Sequence, residues 1–204
     1  MTQFLVLAKT PVPGRVKTRL CPPWTFEQAA DVAAAAVSDT IATVSSAPAT
    51  RRTLVVDGDL PAPAGWKRLP QRGSSLEDRL ANAFADTAGP PTVLVGMDTP
   101  QLTTELLARA ADLTAADATL GLAEDGGWWA LGLRKAGDAS VLRSIATSTP
   151  QTGKQTLVAL RDRGLRVALL PVLRDVDTAP DARAVAQMCS VRGRFRSTVE
   201  GMTA

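Results

Sequence analysis

Residues 4–19 read FLVLAKTPVPGRVKTR, and this stretch decides the fold. Its first five positions, 4–8, form an unbroken apolar run that halts at Lys9-Thr10-Pro11, the pattern of a strand buried on both faces. Such strands belong to parallel sheets, because crossover connections lay helices over both sides. Thr25 and Gln28 then stand at capping-box spacing ahead of an alanine-rich stretch reaching to about residue 45, which predicts the first helix. The segment from Lys9 to Trp24 is therefore a long loop leaving the carboxyl end of the first strand, the edge where open parallel sheets bind ligands.

The alternation of strand and helix continues outward from there. Residues 53–56 read as a strand ending at Asp57-Gly58-Asp59, and residues 67–69 as a short one. Ser75 with Asp78 caps a helix to about residue 87. Residues 92–95 form another apolar strand, ending in Gly96-Met97-Asp98-Thr99-Pro100 before a helix capped near Thr103. Residues 119–123 and 128–133 flank the turn Glu124-Asp125-Gly126-Gly127, helices are expected near residues 139–146 and 152–163, and residues 167–170 form the last strand. The pattern predicts an α/β fold of three layers, α/β/α, with a mostly parallel sheet. One domain over residues 1–190 is expected, followed by a basic tail over 191–204 carrying Arg192, Arg194 and Arg196, read as frayed and solvated.

Composition narrows the chemistry. The chain of 204 residues contains no histidine and no tyrosine, which excludes a Ser-His-Asp triad, histidine-ligated zinc and histidine base catalysis. Carboxylates and cations must carry any reaction. Cys21 and Cys189 match no zinc spacing, and a disulfide framework is not expected, so the expected compartment is the reducing cytoplasm. No apolar run has the length of a membrane span, and a net charge of +3 with no interleaved basic-aromatic run argues against a nucleic-acid partner.

Three segments combine residue types suited to phosphate and metal chemistry. The loop Lys9-Thr10-Pro11-Val12-Pro13-Gly14-Arg15-Val16-Lys17-Thr18-Arg19 offers four cations and a glycine, fit for a diphosphate or triphosphate, although it lacks Walker A order and a solvated loop has the same composition. Asp98, at the end of a strand, suits Mg²⁺ or Mn²⁺ and equally suits a turn before a helix. In Glu124-Asp125-Gly126-Gly127-Trp128-Trp129, acids adjoin glycines that admit a ligand to the backbone and tryptophans that can wall it; a hairpin turn with core tryptophans reads the same way.

The segments AKTPVPGRVKTRL, GMDTP, EDGGWWALGLR, STPQTGKQTL and LRDVDT, in this order, resemble the radical-SAM/selenodomain-associated transferase family over most of residues 3–180. That resemblance implies a fold of the glycosyltransferase-A, nucleotide-diphospho-sugar transferase type. It implies that Ala8, Lys9, Gly14, Arg15, Lys17, Arg19, Gln71, Arg79 and Gly96 bind a nucleotide, and that Asp98 and Asp125 hold the metal and, with Lys17, form the catalytic set. Gly126, Gly127 and Trp128 would meet the substrate, while Thr149, Pro150 and Asp175 match motif positions without an assigned role. Where the family often has Ser-Asp-Cys-Pro and Tyr-Tyr, this chain has Met97-Asp98-Thr99-Pro100 and Trp128-Trp129, which keeps the aspartate and the aromatic pair but loses the phenolic hydroxyls.

The expected function is a transferase that needs Mg²⁺ or Mn²⁺ and a nucleotide-activated donor, with glycosyl transfer from a nucleotide-sugar to a small acceptor in front. The alternative is nucleotidylyl transfer, in which an acceptor phosphate attacks an NTP and pyrophosphate leaves; the second is a non-catalytic nucleotide- or partner-binding domain. A homodimer is the usual state for an enzyme of this size.

Overall fold

The computed structural model of the chain describes residues 2–202. Seven strands form one sheet in the order β3-β2-β1-β4-β6-β5-β7. They are β1 (Gln3–Lys9), β2 (Arg51–Asp57), β3 (Lys67–Pro70), β4 (Thr92–Val95), β5 (Ala118–Leu122), β6 (Trp128–Leu133) and β7 (Val167–Leu169). Only β6 runs antiparallel to its neighbours; β1 pairs in parallel with β2 and β4, with Leu5 opposite Thr53 and Leu94. The mostly parallel sheet expected from the alternation is the one observed.

The helices are α1 (Phe26–Ser46), α2 (Leu76–Asp86), α3 (Thr104–Ala111), α4 (Thr152–Asp162), α5 (Ala179–Met188) and α6 (Arg194–Glu200). The Thr25 and Gln28 capping box is formed, and Ser75 and Thr103 cap α2 and α3 as their spacing predicts. Alternate residues of the central strands feed two cores. Phe4, Val6, Leu54, Val56, Val93 and Val95 face α1 and α3, whereas Leu5, Val55, Leu94 and Leu131 face α2 and α4.

The alanine-rich sequence of α1 has a packing reason. Ala30, Ala33 and Val37 press on the sheet, while Ala29, Val32 and Ala36 lie against α5, α6 and the buried Leu20 and Trp24 of the first loop. A helix covered on both sides needs apolar residues around most of its circumference, and small ones let both neighbours approach.

Three expectations are corrected. Residues 194–200, expected as part of a frayed tail, form α6: Phe195 is fully buried, and Asp39 accepts hydrogen bonds from the amides of Arg194 (3.0 Å) and Phe195 (2.9 Å). Apolar burial outweighs the three arginines, which keep their charges at the rim. The helix expected over 139–146 is a 3₁₀ segment, Ala136–Ser144. Finally, α5 was not foreseen, although Thr178 and Asp181 form a capping box at its start. No helix among the described residues is long and apolar enough to cross a membrane.

Candidate functional site

The chain turns back across its sheet at β1: β2 and β3 lie on one side, β4 and the remaining strands on the other. Loops after β1 and β4 therefore face each other over a crevice, the place where open α/β sheets bind ligands. Lys17 bridges it. Its ammonium pairs with Asp98, donates to the carbonyl of Val176 and stands 3.8 Å from Asp177 Oδ1. The Lys17 side chain is only 8% exposed, against 46% for Asp98. Leu20 and Trp24 anchor the far end of this loop in the core between α1 and α5.

Residues 173–177 run as a strap between the loops that follow β4 and β5, and no sequence signal pointed to them beyond the family-like LRDVDT. Leu173 bridges to Ala123 in parallel, its carbonyl accepting from the Glu124 amide (2.9 Å). The Arg174 carbonyl accepts from Gln101 Nε2 (2.7 Å), and the Val176 amide donates to the Asp98 carbonyl (2.9 Å). Asp175 is thereby held beside both acidic loops. Burial first, then the charges of Asp125 and Asp98, push its carboxyl up to about 8, with Lys17 opposing.

Asp125 sits in a turn braced from below. Its Oδ1 accepts from the Gly127 amide (2.8 Å), and the Gly126 carbonyl accepts from the Gly153 amide at the start of α4 (2.7 Å). A Cβ on Gly126 would stand 2.1 Å from the Pro150 carbonyl oxygen, and one on Gly153 would stand 2.4 Å from that of Gly127. The glycines expected to admit a ligand instead admit the α4 terminus. This assigns the STPQTG motif a local task, with Thr149 and Pro150 buttressing the acidic turn.

The tryptophans diverge. The register of β5 on β6 shifts between Gly121 and Leu122, from Gly121 opposite Ala130 to Leu122 opposite Trp128, which leaves Trp129 as the extra residue. Trp129 is buried over Gly121 with its Nε1 donating to the Pro171 carbonyl (3.0 Å), while Trp128 is partly buried on the α2 and α4 side.

The remaining site residues divide by what already engages them. Lys9 and Arg15 are exposed and have no carboxylate partner among the described residues. Arg19 pairs with Asp177 (3.2 Å), so two of the four loop cations are committed to protein carboxylates. Gly14 turns with φ 74° in the same loop. Gln71 Nε2 donates to the carbonyls of Ala8 (2.8 Å) and Val55 (3.3 Å), locking the ends of β1 and β2. Arg79 pairs with Asp57 (2.9 Å) and donates to the Gly73 carbonyl (3.2 Å). The Gly96 amide donates to the Trp129 carbonyl (3.3 Å), which carries the sheet ladder to within two residues of Asp98.

The donor set suits a hard divalent cation. Mg²⁺ is commonly held by one or two carboxylates plus substrate phosphates rather than by a complete protein cage. In keeping with that, no three acidic groups among the described residues already stand at cage spacing. Asp98 and Asp125 flank the crevice, and the raised Asp175 carboxyl marks a surplus of negative charge there that a cation would relieve.

Residues 29–149 match the family described as "Uncharacterized protein conserved in bacteria (DUF2064)". The chain belongs to this family. No curated protein matches it. Among solved structures, this DUF2064 chain is similar to a protein of Desulfovibrio desulfuricans G20 provisionally named a nucleotide-diphospho-sugar transferase, with a TM-score of 0.85 and 26% identity over 98% of this chain and 94% of that one. It is also similar to CMP:2-keto-3-deoxy-manno-octonic acid synthetase complexed with CTP (TM-score 0.56, 13% identity, 92% and 98% covered). A third is Rv0371C of Mycobacterium tuberculosis H37Rv in complex with manganese (TM-score 0.50, 17% identity, 98% of each chain). At the last two identities the likeness is one of fold. The DUF2064 chain thus has the α/β fold of nucleotide-diphospho-sugar transferase structures.

Proposed function

We propose that this protein is a metal-dependent transferase acting on a nucleotide-activated donor, and that it moves a glycosyl group from a nucleotide-sugar to a small acceptor. The observation that carries the reading is the convergence of Asp98, Asp125 and Asp175 at the sheet's switch point, opposite a loop with two unengaged cations, Lys9 and Arg15. The likeness to the Desulfovibrio desulfuricans structure supports it. The narrower membership, in radical-SAM/selenodomain-associated transferases, belongs to the same proposal.

In this reading Asp98 and Asp125 hold Mg²⁺ or Mn²⁺, and the bound ion supplies charge neutralisation to the departing diphosphate. Lys9 and Arg15 meet the outer phosphate oxygens as charge-assisted donors. Gln71 fixes the Ala8 carbonyl and so the backbone that borders the nucleotide. Trp128, partly exposed at the mouth of β6, walls the acceptor side.

Nucleotidylyl transfer is the second reading. The free pair of cations favours it, since a triphosphate brings more charge than a diphosphate needs met. Thermal-shift measurement with NTPs, NDPs and nucleotide-sugars, with and without Mn²⁺, on wild type and Asp98→Ala tests both. Metal-dependent stabilisation by nucleotide-sugars that Asp98→Ala abolishes, with nucleoside diphosphate as product, supports the first. Pyrophosphate release selects the second. Equal nucleotide affinity in Asp98→Ala refutes the metal role.

A further inference from the structure

We infer that Lys17 is the resident counter-ion of the acidic crevice, displaced from Asp98 by the divalent cation and released towards the donor phosphates. The inference rests on the proposed role of Asp98 as a cation ligand.

Lys17 differs from the other cations of its loop. Lys9 and Arg15 point into solvent, whereas the Lys17 ammonium is turned inward onto Asp98, the Val176 carbonyl and, further off, Asp177. An ammonium has three protons to donate, and these oxygens surround it on the protein side. A lysine so placed has no hydrogen left for a phosphate until it leaves Asp98.

The oxygens around it are also the hard donors that Mg²⁺ and Mn²⁺ select, a carboxylate and a carbonyl among them. Two cations cannot share the same Asp98 oxygen without strong mutual repulsion at such short range. Occupancy by metal and by Lys17 is therefore exclusive at that atom.

The backbone carries a second mark. Lys17 has φ 49° and ψ 34°, and it and Ser148 are the non-glycine residues at positive φ among those described. A lysine adopts this left-handed region only when its surroundings impose it, and here the inward pull of the side chain does so. Release from Asp98 frees the residue to relax and to carry its charge the short distance to a ligand in the crevice. Metal binding and phosphate binding are then positively coupled, each favouring the state the other needs.

The test is Mn²⁺ binding alone, without nucleotide, followed by electron paramagnetic resonance on wild type, Lys17→Met and Lys17→Gly. Glycine keeps the left-handed backbone and lacks the ammonium, so it separates charge from any folding defect of the methionine variant. Both variants are expected to bind Mn²⁺ about tenfold more tightly than wild type, because a positive charge has been removed from the site. Their nucleotide affinity in saturating Mn²⁺ is expected to fall. Mn²⁺ binding that is unchanged or weaker in the folded variants overturns the inference and makes Lys17 an orienting partner of Asp98. If neither wild type nor the variants bind Mn²⁺, the cation reading of the site fails, and this inference with it.

Discussion

Replacing Phe195 with alanine tests the largest departure from the sequence reading. The ring is fully buried among Leu20, Trp24, Ala36, Val176 and Val185, in the core that α1 shares with α5 and α6. Truncating a phenylalanine in such a place costs about 3–5 kcal/mol, the transfer of the ring plus the cavity left behind. For a domain of this size that is a fall in melting temperature of about 10 °C. Arg192→Ala, on the exposed side of the same segment, is the control and should stay within about 0.5 kcal/mol of wild type. Urea unfolding should show the Phe195→Ala midpoint lowered at unchanged slope, since the unfolded chain is little altered. Val176 shares this core and sits between Asp175 and Asp177, so Mn²⁺ affinity should drop along with stability. A loss below about 1 kcal/mol would mean that the segment frays and that its packing does not hold the strap.

Other outcomes follow from single contacts. Gly126→Ala combines a φ of 91° with a Cβ 2.1 Å from the Pro150 carbonyl oxygen, and should lose about 2–4 kcal/mol and weaken Mn²⁺ binding at Asp125, while Gly137→Ala, with nothing within 4 Å, serves as the neutral comparison. Burial first, and Asp39 second, push the Cys189 thiol up to about 12, so at pH 8 an alkylating reagent should label the partly exposed Cys21 and reach Cys189 only after unfolding; fast double labelling would refute this. Hydrogen bonds from Arg166 hold the Asp117 carboxyl down at about 2, below its ordinary 3.8. A depressed acid stabilises above its unfolded value and loses that contribution as pH falls through its folded one, so the melting deficit of Asp117→Asn should be full at pH 6 and vanish on acidification from about 4 to 2. A deficit independent of pH would show that the loss is one of packing.

Much of the architecture was legible because local signals and tertiary needs agree. The apolar runs of β1 and β4 are continuous because both faces are covered, and the caps at Thr25, Ser75 and Thr103 are used as their spacing predicts. What escaped depends on distance along the chain. The three arginines near residue 194 suggested solvation, and only the socket offered by α1 and α5 makes Phe195 a core residue. The capping box of Thr178 and Asp181 could have revealed α5. In the site, the acidic positions were legible as residue types at strand ends. That Lys17 turns from the open loop onto Asp98, and that Gly126 faces Pro150, depends on chain segments brought together only by folding.

The strap over residues 173–177 has a consequence for how the protein comes into being on the ribosome. Its partners are Lys17, Asp98, Gln101 and Glu124, so the crevice is stitched from pieces made early, midway and late. Such distant closures are slow, because the entropy of joining the ends is lost before any contact offsets it. A nascent chain halted after β6 already owns Lys17, Asp98 and Asp125 but lacks the strap and the helices that seat Val176. Competence to hold a ligand should therefore arrive abruptly, near the end of synthesis, rather than accumulate as the sheet grows.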